Sequence, residues 1–84
     1  MKSVTMYTSA TCTPCKSLKP ILQKVCEEKG IHMELIDGDT VDPTQLCIMN
    51  VRSYPTVFVK SGGQVLNRFS GAKNRAWIEE FLED

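Results

Sequence analysis

The run Cys12-Thr13-Pro14-Cys15-Lys16-Ser17-Leu18-Lys19-Pro20-Ile21-Leu22 decides how this chain folds. Just before it, Val4-Thr5-Met6-Tyr7 is a short run of residues that suit a pleated surface, which predicts a buried strand. After the loop Thr8 to Thr11 the pattern changes period. Leu18, Ile21, Leu22, Val25 and Cys26 recur at the spacing of one helix face. Cys15 lies three residues before Leu18 and shares that buried stripe, whereas Cys12 falls at or just before the first helical residue, where it meets solvent. The two thiols are therefore unequal.

That inequality has a chemical consequence. The free N–H groups and positive dipole end of a helix stabilise an anion, and the thiolate is the nucleophile of disulfide exchange. Cys12 is thus placed to attack and Cys15, one turn inward, to resolve. Pro14 is tolerated in the first turn, where its missing N–H has no intrahelical acceptor. Lys16 adds a nearby positive charge. Taken alone, a C-x-x-C pair is either a redox couple or half of a zinc site. The remaining cysteines and His32 are poorly placed to complete a tetrahedral cage.

The long helix is expected to run to Lys29, with Gly30 closing it and a kink at Pro20. His32 to Ile36 reads as a second strand, and a helix between two strands implies a parallel βαβ unit. Asp37-Gly38-Asp39 reads as a turn, and Asp42-Pro43 opens a short helix to about Met49. Thr56 to Lys60 and Gln64 to Phe69 form a hairpin about Ser61-Gly62-Gly63. Asn74 caps a last helix whose Ile78, Phe81 and Leu82 face the sheet. The element order is βαβαββα.

At 84 residues, positions 1–84 form one domain. Ten basic and ten acidic residues cancel without a long run of either sign, which argues against nucleic acid and an acidic membrane surface as partners. No basic and apolar leader opens the sequence, and no apolar run approaches membrane-spanning length. The expectation is a soluble cytoplasmic monomer in which a redox pair accompanies two ordinary thiols.

The run from Cys12 to Leu22 resembles the active-site helix of thioredoxins, including the lysine after the second cysteine and the proline at position 20. Val51-Arg52-Ser53-Tyr54-Pro55-Thr56 resembles that family's cis-proline loop, and Gly71-Ala72 its third substrate-facing loop. The three motifs fall in order across nearly the whole chain. The resemblance implies an α/β minimal thioredoxin fold, glutaredoxin-sized, with a four-stranded mixed sheet flanked by three helices. It further implies a protein disulfide oxidoreductase in which Cys12 is the nucleophile and Cys15 the resolving thiol, tuned by Thr13, Pro14 and Lys16. Thr11, Tyr54, Pro55, Gly71 and Ala72 would form the peptide-docking rim, and the Tyr54–Pro55 bond would be cis. No cofactor or metal is implied. The partners would be disulfide-containing substrate proteins and a thioredoxin-reductase-like electron donor.

Some positions depart from the pattern. Thr11 stands where thioredoxins carry tryptophan, and Thr13-Pro14 replaces Gly-Pro. Met6 stands where they carry a buried acid in the first strand, so water or another carboxylate must serve as proton acceptor. Tyr7-Thr8 followed by Cys12 is similar to glutaredoxins, yet Ser70 to Asn74 offers no carboxylate for glutathione. A glutathione-dependent glutaredoxin, a non-catalytic docking module and a metal-binding domain are the rival readings. Cys26 is expected in the core, and Cys47 lies in the short helix. Trp77 is expected to pack the last helix, while Tyr7 is either core or rim.

Overall fold

The computed structural model describes residues 2–83. Strand β1 (Lys2–Thr8) lies inside the sheet, and this explains its unbroken burial from Val4 to Tyr7. Both of its faces are covered: Val4 and Met6 enter one core, Tyr7 the other. It pairs in parallel with β2 (His32–Asp37) and antiparallel with β3 (Thr56–Ser61), and β4 (Gln64–Ser70) adds antiparallel to β3. The order is β2-β1-β3-β4, so the mixed four-stranded sheet that the resemblance implies is present.

Register brings the functional segments to one end of the sheet. Thr8 stands opposite Asp37, Tyr7 opposite Thr56, and Thr56 opposite Ser70. The ends of β1, β2 and β4 and the start of β3 therefore meet there. The hairpin at the other end turns through Gly62 (φ 58°) and Gly63 (φ 82°), a left-handed pair that suits a two-residue connection.

Helix α1 (Thr13–Lys29) covers the larger core with Cys15, Leu18, Leu22, Val25 and Cys26, and Ile21 packs against it from a partly buried position. The helix continues past Pro20 and closes at Gly30 (φ 68°), where the Ile31 N–H donates to the Cys26 carbonyl at 2.8 Å. Helix α3 (Arg75–Phe81), capped by Asn74 Oδ1 on the Trp77 N–H, buries Ile78 beside Leu82. Its Phe81 is only partly buried, and Trp77 stays 38% exposed while stacking on Phe81 and meeting Phe69 edge-on. Trp77 is thus the solvent-side member of an aromatic cluster.

The opposite face holds a smaller core of Tyr7, Val51 and Phe58 beneath α2 (Pro43–Ile48). Tyr7 is core, not rim: its hydroxyl donates to Met49 Sδ at 3.4 Å, and burial, with a contribution from Glu34, pushes its phenol up. Arg68 crosses this face over the Phe58 ring, and its guanidinium donates to the Met49 and Asn50 carbonyls at 2.9 and 2.8 Å. The segment expected as a simple turn is more regular. Asp37 belongs to β2 and caps a 3₁₀ turn, Gly38–Thr40, by accepting the Asp39 N–H at 2.9 Å. An Asp-Gly-Asp triplet suits either outcome, and pairing to Thr8 extends the strand.

Candidate active site

Cys12 is the N-cap of α1, in extended conformation (φ −85°, ψ 104°). Its Sγ accepts the Cys15 backbone N–H at 3.2 Å, so a helix-end donor that would otherwise lack a partner points at sulfur. A thiolate at this position is stabilised by that N–H and by the helix dipole. Cys15, one turn on, is 2% exposed, and the two cysteines form a disulfide across a Cα–Cα distance of 5.3 Å. Thr13, Pro14 and Lys16 lie exposed around the first turn.

The loop before Cys12 is held from two sides. The Cys12 N–H donates to the Ser9 carbonyl at 3.1 Å. The Asp39 carboxylate accepts the Ser9 hydroxyl at 3.1 Å and the Ala10 N–H at 3.4 Å. Thr11 rides on this loop, exposed.

The loop Val51 to Pro55 leads into β3, and its Tyr54–Pro55 bond is cis as the resemblance implies. Pro55 is buried, and its carbonyl accepts the Gly71 N–H at 3.0 Å, which brings the second and third motifs together. Gly71 has φ 86°, a left-handed conformation that favours glycine. Thr56 Oγ1 donates to the Ser53 carbonyl at 2.6 Å and closes the loop. Tyr54 and Cys12 both pack, partly buried, against the larger core, while Ala72 is exposed. A Cβ on Gly38 would collide with the Tyr54 phenol, so the absence of a side chain there admits Tyr54.

The other thiols stand apart. Cys26 is 1% exposed, and desolvation pushes it up to about 11, whereas Cys47 is an exposed free thiol on α2. Among the described residues no group of three or more His, Cys, Asp or Glu is gathered to hold a metal. Sequence reading passed over Asp37, Gly38 and Asp39 as contributors to this end of the sheet. Their one signal was the Asp-Gly-Asp triplet, which reads as a turn.

Comparison with known proteins gives a consistent answer. The family model described as Thioredoxin matches residues 2–84. The chain is 32% identical over 79 residues to "NADPH-dependent thioredoxin reductase 3" of Arabidopsis thaliana, covering 93% of this chain and 15% of that protein. It is 34% identical over 73 residues to "Thioredoxin, mitochondrial" of Bos taurus, covering 86% of this chain and 44% of that one. The chain thus spans less than half the length of these two relatives. A solved structure of a mutant thioredoxin from Halobacterium salinarum superposes with a TM-score of 0.85 at 18% identity, covering 96% of this chain and 71% of that chain.

Proposed function

This chain belongs to the thioredoxin family, and on that premise we propose that it is a thiol–disulfide oxidoreductase that reduces protein disulfides. The observation that carries this reading is the pairing of Cys12 and Cys15 at the mouth of α1, with the Cys15 N–H directed at Cys12 Sγ. In the reduced protein Cys12 is the thiolate that attacks a substrate disulfide, and the second substrate sulfur leaves with the electron pair of the broken bond. Cys15 then attacks Cys12 Sγ, forms the intramolecular disulfide and releases the substrate as a dithiol. The reduced cysteine pair supplies the two electrons for the step.

Tyr54, Pro55, Gly71 and Ala72, with Thr11 on the facing loop, form the surface on which an extended substrate segment docks. The Pro55–Gly71 hydrogen bond supports this role by joining two of its parts. Electrons return from a thioredoxin-reductase-like donor. That reading draws support from the relative whose name is a thioredoxin reductase.

The test is a redox titration in defined thiol buffers, with free thiols counted by mass after alkylation. A reversible Cys12–Cys15 couple near about −270 mV marks a general reductant, and one near about −120 mV marks an oxidant. The absence of a reversible couple overturns the proposal.

A further inference from the structure

Cys15 must lose a proton before it can resolve a mixed disulfide, and its position makes that loss costly. It is 2% exposed on the apolar face of α1. Burial disfavours a thiolate, as Cys26 on the same face illustrates. Beneath α1, Met6 is fully buried in the same core and presents a thioether, which takes up no proton. The proton must leave sideways.

A cavity of about 260 Å3 opens on that side. Cys15 forms part of its wall, the Thr8–Ala10 segment another, and Lys16, Lys19 and Asp37 complete it. This volume has room for several waters. Among the described residues that line it, Asp37 carries the only carboxylate. Asp37 ends β2 opposite Thr8 of β1, and its Oδ1 is oriented by the Asp39 N–H at 2.9 Å. We propose that Asp37 is the base that takes the Cys15 proton, by way of water in the cavity both residues line. The proposal rests on the redox reading above.

In the mixed disulfide Cys12 Sγ is bonded to a substrate sulfur. The Cys15 thiol gives its proton through water to the Asp37 carboxylate, and its thiolate attacks Cys12 Sγ. The Cys12–Cys15 bond forms while the Cys12–substrate bond breaks. The substrate sulfur leaves with the electron pair and takes the proton back from Asp37 through solvent. The cysteine pair is oxidised and the substrate reduced, with no other reactant required. Among the described residues, the charged groups that line the cavity with Asp37 are Lys16 and Lys19 from α1, and Asp39 of the 3₁₀ turn donates its backbone N–H to Asp37 Oδ1. The Asp39 carboxylate is taken up by Ser9 and Ala10.

The test mixes the reduced protein, carrying Cys47→Ser to remove the exposed thiol, with dithiobis(nitrobenzoate). This aryl disulfide releases one coloured thiol when Cys12 attacks and a second when Cys15 resolves. Asp37→Asn keeps an oxygen to accept the Asp39 N–H. It should leave the first phase unchanged and slow the second about 100-fold at neutral pH, with the rate recovering tenfold per pH unit as hydroxide takes over. An unchanged second phase across the pH range overturns the assignment. A parent protein that shows neither phase instead overturns the redox reading beneath it. A second measurement needs no variant at Asp37. In the reduced parent, the Asp37 carboxyl carbon should show an extra NMR titration step where Cys15 ionises, absent in Cys15→Ala. Identical curves in the two proteins also overturn the proposal.

Discussion

Gly38 lies directly under the phenol of Tyr54, so close that an added methyl group would occupy the space of the ring and its hydroxyl. The contact links the 3₁₀ turn after β2 to the loop that carries Pro55. Gly38→Ala should therefore displace Tyr54 and cost about 1–3 kcal/mol, the range for overpacking a filled site. Urea unfolding reads the cost. In a Tyr54→Ala background the same change should be nearly neutral, and equal effects in the two backgrounds would refute the coupling.

Cys12→Ser should abolish reduction of a model disulfide, because the attacking sulfur at the N-cap of α1 is gone while Cys15 stays buried. Cys15→Ser should leave attack intact and trap substrates as mixed disulfides on Cys12. Non-reducing electrophoresis with mass spectrometry separates the two outcomes. Near-normal turnover by Cys12→Ser would contradict the assigned roles.

Asp39 holds Ser9 and Ala10, and Ser9 in turn holds the Cys12 N–H. Asp39→Ala removes these acceptors at an exposed position. The expected cost is about 1 kcal/mol, with faster hydrogen exchange at the Ala10 and Cys12 amides. Unchanged exchange at both amides would show that the loop is held without Asp39.

Burial pushes the Cys26 thiol up to about 11 in the folded chain, above the ordinary thiol value it regains on unfolding. Between those two values the unfolded chain has lost a proton that the folded chain keeps. Stability from this group is therefore complete below about pH 9 and falls as pH rises toward 11. The stability difference between the parent and Cys26→Ala should narrow over that window in chemical denaturation. Cys47, exposed, should alkylate promptly in the native protein while Cys26 does not.

The Arg68 guanidinium spans the carbonyls of Met49 and Asn50, fastening the end of α2 across the sheet. Arg68→Ala should cost about 1.5–3 kcal/mol, the range for hydrogen bonds to a charged group. Arg68→Lys should recover less than half of that loss, since an ammonium lacks the planar fork that reaches both oxygens. Denaturant midpoints of the two variants decide it.

Local pattern carried the element order and the inequality of the two cysteines. A helix stripe that begins at Cys15, a glycine after Lys29 and an asparagine before Arg75 are signals that neighbouring residues exert on one another, and they act before the chain folds. For the same reason Cys12 was legible at the start of the helix and Cys26 as core. What tertiary structure decided lies between segments far apart in sequence. Parallel pairing of β1 with β2 sets Asp37 across from Thr8, and the cavity beside Cys15 exists only once that register is made. Nothing near Gly38 in the sequence indicates that Tyr54 will rest on it, and nothing near Asp39 indicates that it will hold the loop before Cys12. The burial of Tyr7 under α2 and the exposure of Trp77 depend likewise on which faces the short helices cover. Periodicity reports only that a face is apolar; which partner covers it is settled when the elements pack.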